Sequence, residues 1–506
     1  MTSEIKKGTA IGPTALAMVA LLSIGLTIFW NFFIIFLPEF AVCTQSVSNL
    51  IPVPGLDMMG GPFVMFLVVM GLMRIPSLRQ HLTTANLVYL YVTTLGASYF
   101  ASLYHPWWHD AALVVTRVWS SQTYLQYVPD YVAAPREVAA TLMEGVGSLG
   151  AIPWGVLFPG IIWRFLLVAL FGGVNVGIAS IFRRQWIDVE QLPFPTIMMG
   201  HTCLVNIENM DKPQWLQRRQ FIMGILAGIA LAIPLSASTL FPWFPDIYGF
   251  RTETCGPGSW QIASPDTPWN LGLAKHPPLY AFLLLVPLHQ LFSILIYTFV
   301  FETSLFIAYY GFGAYTGYLQ LSFCGRSWCP PNTPYAGPPL YYGVISSGAM
   351  LGLFVMTLFQ ERHHIIWTLK SAMGMRSEQE KLEPISYRGA WSIFMASFVL
   401  LMVLFMLTGF SPWLSFVLPF SGVLTWFAML QIWGRIGFTH EPTYNFTPGV
   451  IRMFAWPNVA RPEVTSMDLA LTGYLRYNPI GWGYSWGGSL YTAVGSYKIA
   501  NLTASY

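Results

Sequence analysis

Apolar runs of about 18 residues or more, the length that spans a hydrocarbon core of about 30 Å, recur along most of this chain. They lie near 13–37, 57–73, 84–104, 154–182, 220–241, 338–360, 389–409 and 413–434. The apolar block 278–323 is too long for one helix and reads as two spans turning near Phe301, Glu302 and Thr303. The pattern predicts an all-α fold, a polytopic transmembrane helical bundle of about ten spans. It divides into a three-span unit over 1–104, an outer segment over 105–153, a membrane core over 154–434 and a tail over 435–506.

Composition points the same way. Of 506 residues, 55% are hydrophobic and 9% charged, with a mean hydropathy of +0.54, against about 25% charged for a soluble domain. The net charge of +3 is too small and too scattered to point to nucleic acid. Lys6 and Lys7 precede the first run, which is too long for a signal-peptide core and lacks a small-residue cleavage site, so it is expected to be retained.

With the N-terminus inside, the inner loops carry fifteen lysines and arginines and the outer loops five, the bias that sets orientation. A plasma-membrane, multi-pass topology follows, and the same bias favours a hairpin over 278–323. Cys43, Cys255, Cys324 and Cys329 then fall outside, where they are disulfide candidates in any of three pairings or free thiols.

The outer segment 105–153, with "HPWWHDAALVVTRVWSSQTYLQYVPDYV", is aromatic and amphipathic and is expected to lie along the membrane surface or cap the bundle. Residues 242–277 are expected to form an ordered loop over the same face. The Gly, Tyr and Pro-rich tail is expected to pack on the inner face, and its sequons at Asn445 and Asn501 matter only if it is outside.

Polar residues inside spans are costly and mark candidate sites. Arg164 and Asn175, eleven residues apart, share one face of the fourth span. "LLLVPLHQLF" supplies His289 and Gln290, and the expected turn supplies Glu302. A histidine and a carboxylate at membrane depth can pass a proton, and these five residues are the candidate substrate or ion site. The plainer alternatives are that Arg164 snorkels and that Glu302 faces solvent at the turn.

Other chemistry lacks a motif. The chain holds no CxxC pair, HExxH helix, Walker loop or GxSxG elbow. Neighbours on a helix point about 100° apart, so His363 and His364 are poorly placed to share a metal and are expected to meet solvent or lipid. No catalytic residue, metal or cofactor is predicted, and the chain is not expected to be an enzyme.

The run "RRQWIDVEQLPFP" stands out at the end of the fourth span. The proline pair in "LPFP" enforces extended backbone, so "TIMMGHTCLVNI" is expected to re-enter the inner face with its N-terminus aimed inward, an anion site. Arg388 is expected to pair with Asp188 or Glu190 and tie two parts of the bundle together.

The order "IPWGVLFPGIIWRFLLVAL", "FRRQWIDVEQLPFPTI", "DKPQWLQRRQFIMGILAG", "EPISYRGAWSIFMASFVLL" and "TGFSPWLSFVLPF" resembles a family of uncharacterised archaeal and bacterial multi-pass proteins. That family in turn resembles the oligopeptide transporter superfamily, although the Asn-Pro-Gly motif of those transporters is reduced here to Asn478-Pro479-Ile480-Gly481. The residues carrying the likeness are Arg183, Arg184, Gln185, Trp186, Glu190, Pro193, Phe194 and Pro195, with Ser386, Tyr387 and Arg388. The resemblance implies a secondary transporter of a small organic solute, a peptide or chelate, coupled to protons or another ion. The rival expectation is a membrane subunit or anchor of a larger complex. The expected partners are the lipid bilayer, a small solute, and copies of the chain or foreign subunits.

Overall fold

The computed structural model describes residues 66–101, 127–208, 215–245, 283–314, 342–436 and 490–503, apart from 67, 80, 81, 376 and 377, together with short pieces elsewhere. Cys43, Cys255, Cys324, Cys329, Asn445 and most of the first two predicted spans lie outside the described residues. Cys203 is a free thiol.

The described residues are helical almost throughout. In chain order the helices are α1 (Thr84–Ala101), α2 (Arg136–Glu144), α3 (Trp154–Arg183), α4 (Pro195–Glu208), α5 (Trp215–Leu240), α6 (Leu288–Phe312), α7 (Tyr342–Gln360), α8 (Arg362–Ala372), α9 (Tyr387–Thr408), α10 (Pro412–Ile436) and α11 (Thr492–Thr503). A π-helical stretch, Arg184–Val189, extends α3. Between α5 and α6, Ser259–Gln261 and Gly272–Ala274 pair as short antiparallel strands. Among the described residues, four helices are long and apolar enough to cross a membrane: Trp154–Val189, Leu288–Phe312, Tyr387–Thr408 and Pro412–Ile436.

The core is built around α3. Trp163, Leu167, Phe171, Val174, Ile178 and Ile181 recur every three or four residues and are buried, the periodicity of one helical face. Phe171 meets Trp426 of α10 edge-on, with ring centroids 4.9 Å apart.

The broadest helix interface joins α3 to α9. Gly173 and Gly177, one turn apart, permit it. A Cβ on Gly177 would stand 2.7–2.8 Å from the Cβ, Cα and N of Phe394, and one on Gly173 would meet the Ser397 side chain. Small residues at this spacing let two helical backbones approach closely. Gly177→Ala is expected to cost about 1–3 kcal/mol through overpacking, read as a lower unfolding midpoint in detergent. An unchanged midpoint would mean that α9 moves aside freely.

The single apolar block 288–312 corrects the hairpin expectation. Pro287 starts α6 and Gly313, in the left-handed conformation, ends it, with 25 helical residues between. Phe301-Glu302-Thr303 contains none of the glycine, proline, asparagine or aspartate that favour turns, so the helix runs on through it.

Part of the 105–153 segment packs against one end of the bundle. Tyr131 donates from its hydroxyl to the Leu407 carbonyl (3.0 Å), and Arg117 donates to the Val128 carbonyl (2.6 Å). Trp163 Nε1 donates to Thr408 Oγ1 (2.9 Å). These bonds close the end of the bundle where α3 begins and α9 finishes. At the other end α11, from the Gly-rich tail, packs against α1, α3 and α4.

Candidate functional site

The end of α3 opposite that closure gathers most of the polar side chains the described residues bury. After Arg183 the helical register widens, and the Glu190 amide donates to the Gln185 carbonyl (2.8 Å), five residues back. One turn before the widening, the Ile181 carbonyl accepts a bond from His364 Nε2 (2.8 Å). Helices in this register recur at functional sites.

Arg183 is held from two sides. Its Nε donates to Glu383 Oε2 (2.5 Å) and its Nη2 to Glu383 Oε1 (3.1 Å) and Asp188 Oδ2 (2.7 Å). The Arg183 and Glu383 side chains are only 7% and 2% exposed. Asn501 of α11 donates to the other Asp188 oxygen (3.5 Å). Burial pulls the Lys498 amine below its ordinary range, against the attraction of Asp188.

Gln185, two residues on, donates to Glu361 Oε1 (2.8 Å). Trp186 turns inward, fully buried, stacked on Phe182 at 4.7 Å and edge-on to Phe427 at 5.1 Å. Arg184 stands over the Trp367 ring.

The "LPFP" junction then folds back on α10. Gln191 and Phe194 both have positive φ, at 52° and 46°, a strained region for residues with a Cβ. The Phe194 amide donates to the Gly434 carbonyl (2.8 Å), and its ring is buried beside Tyr491. Leu192 lies close against Gly434, where an added Cβ would sit 3.0 Å from it. Pro195 opens α4, as proline at a first helical position does. The expected anion site at this N-terminus is corrected: Thr196 is buried and hydrogen-bonded to the Tyr491 hydroxyl, so protein fills the space.

Between α6, α7, α10 and the π-helical turn lies a cleft of about 530 Å³. Glu190, Gln290, Thr357, Glu361, Gln431 and Arg435 bring polar groups to it. Arg435 Nη2 donates to Glu190 Oε2 (3.0 Å) and to Gln431 Oε1 (3.0 Å). Gln431 is 3% exposed, and its Nε2 has no hydrogen-bond partner among the described residues.

Burial pushes the Glu190 carboxyl above the ordinary 4.5, Arg435 opposes the shift and Glu361 adds to it. In the window above pH 4.5 the folded group keeps a proton that the unfolded chain is losing, so this group makes stability fall as pH rises. Thermal midpoints measured from pH 4 to 7 should show a shallower fall for Glu190→Gln than for wild type. Identical slopes would place Glu190 outside this account.

The five intramembrane candidates are not brought together. Arg164 donates to the Val132 carbonyl (3.0 Å) at the closed end. Asn175 is buried, about 16 Å further along α3, and its side-chain amide has no partner among the described residues. His289 is exposed at the start of α6, bonded to Gln290 (3.2 Å). Glu302 is buried within α6, about 20 Å from His289 along the helix. Gln290 alone of the five reaches the cleft.

The second motif has a different role from the one expected. Ser386 caps α9, accepting a bond from the Gly389 amide (3.2 Å), and Glu380 accepts from the Tyr387 amide (3.1 Å) and the Ser371 hydroxyl (2.5 Å). Arg388 is exposed beside Glu380 and Ser386 in a second cavity of about 270 Å³. Arg183, buried near the end of α3, and Arg435, partly exposed at the end of α10, hold the acidic partners assigned to Arg388.

Glu361, Glu383 and Arg435 were not among the sequence candidates, and His364, expected to meet solvent or lipid, instead bonds the Ile181 carbonyl. The available signal was position: "ERHH" and the arginine of "IWGRI" both sit where an apolar run ends.

No curated protein and no solved structure matches the chain. One family does, over residues 12–476, a stretch that contains both motifs and every helix lining the cleft: the chain belongs to DUF6785, a family of unknown function.

Proposed function

We propose that this protein is a multi-pass protein of the plasma membrane that moves a small organic solute across it, with Glu190 exchanging a proton during the cycle. The observation that carries this reading is the polar cleft at the basic end, set among helices apolar enough to cross a bilayer. Its carboxylates lie beside a single guanidinium that already binds one of them. Protonating Glu190 would loosen the Arg435 contact and free both groups for a solute. The likeness of the Arg-Arg-Gln-Trp and Leu-Pro-Phe-Pro stretch to oligopeptide transporters supports the same class. The reading involves no catalytic step.

Native mass spectrometry of the protein extracted from its own membranes tests this first. A solute that copurifies, and whose uptake into proteoliposomes follows an imposed proton gradient and is lost in Glu190→Gln, is the expected result. Stoichiometric foreign subunits without a solute would replace transport by an anchoring role. One observation favours that second reading: Phe292, Leu295, Tyr297 and Phe299 on α6 are all exposed, a broad apolar surface open to lipid or to a partner.

A further inference from the structure

Charge and hydrogen-bond capacity in the cleft constrain its occupant. Among the described residues that line the cleft, Glu190 and Glu361 oppose Arg435 alone, so with both carboxyls ionised this lining carries one excess negative charge. The Gln185 amide reaches only Oε1 of Glu361, and Arg435 reaches only Oε2 of Glu190. Each carboxylate thus keeps an oxygen for a ligand.

Gln431 adds an independent constraint. Because Arg435 donates to its Oε1, the other amide atom is fixed as the Nε2 donor, and that atom is buried without a partner among the described residues. A buried donor left unsatisfied is destabilising, and an acceptor oxygen on a ligand would satisfy it.

We propose that the cleft binds a small organic cation in which a primary ammonium group lies next to an acceptor oxygen, the ammonium meeting Glu361 and Glu190 and the oxygen meeting Gln431 Nε2. This assignment rests on the cleft being the solute site proposed above. A free amino alcohol and a lipid headgroup with the same chemistry are both possible sources.

The test uses the full chain in phosphatidylcholine nanodiscs and follows thermal stabilisation by ethanolamine, with ammonium chloride and ethylene glycol supplying one feature each. Ethanolamine should stabilise at concentrations at least tenfold below either control. Glu361→Gln should weaken it at least tenfold, and Glu190→Gln carries the same test if that variant does not fold. Gln431→Met should bind ammonium as before but lose the preference for ethanolamine, an effect that a merely structural role would not produce. Equal responses to ethanolamine and ammonium, or an undiminished response in the carboxylate variants, would overturn the proposal.

Repeating the measurement in phosphatidylethanolamine nanodiscs separates the sources. A response lost there assigns the site to the headgroup, and a response retained assigns it to a free solute. Ethanolamine binding without uptake of any copurifying solute would remove the transport reading and leave this assignment standing. Proton-driven uptake without ethanolamine binding would do the reverse.

Discussion

Arg183→Ala is expected to destabilise the protein by about 3–5 kcal/mol, the cost of leaving a buried charge without its partner. Glu383 is almost wholly enclosed and takes both of its described ion-pair contacts from Arg183, while Asp188 takes its shortest from the same guanidinium. Alanine would leave the enclosed Glu383 carboxylate without its ion-pair partner, while Asp188, more exposed, keeps Asn501. Lysine should restore little, because one ammonium cannot reproduce the forked geometry that spans Glu383 and Asp188. The double variant Arg183→Met, Glu383→Met should recover most of the loss, since removing a buried pair together is far less costly than removing one member. Equilibrium unfolding in mixed micelles measures all three. A single variant within about 0.5 kcal/mol of wild type, the range of ordinary surface changes, would show that the pair is solvated.

Trp186→Ala should cost a similar amount, about 3–5 kcal/mol, by a different route. The indole is fully buried between Phe182 and Phe427, so truncation opens a cavity where α3 meets α10 and forfeits two ring contacts. Trp186→Phe keeps part of the stacking and should lose roughly half as much. Because Trp186 sits between Gln185 and Ile187 in the π-helical turn, the alanine variant should also weaken whatever solute the cleft takes. If stability falls while binding is untouched, the turn is held by its ion pairs alone.

How far the sequence disclosed this arrangement depended on the kind of signal. Apolar runs located α3, α9 and α10 closely, because length and uninterrupted hydrophobicity are local properties. The block over α6 misled for the same reason: a long apolar stretch does not reveal where its helix begins, and Pro287 and Gly313 settled it. The arginine-rich motif was visible as a motif, yet its partners were not. Glu361 and Glu383 lie 176 and 200 residues away from Gln185 and Arg183, a separation that a single sequence cannot bridge. Arg388 attracted attention by standing in a motif, whereas Arg435 stood alone at a helix end and formed the contact. Gly173 and Gly177 were not among the sequence candidates, because only the approach of Ser397 and Phe394 across the interface gives their missing side chains a purpose.

The wide turn at Arg184–Val189 amounts to one residue more than an α-helix would use. One residue corresponds to about 100° of rotation around a helix axis. Without it, the side chain presented to the cleft would be the neighbour of Glu190, and Leu192 and Phe194 would reach α10 out of phase. For relatives in the family, a one-residue gap within this motif therefore signals a change of address: the acidic position that lines up by letter would face a different neighbour, and equivalence should be judged by which residue meets the arginine at the end of α10.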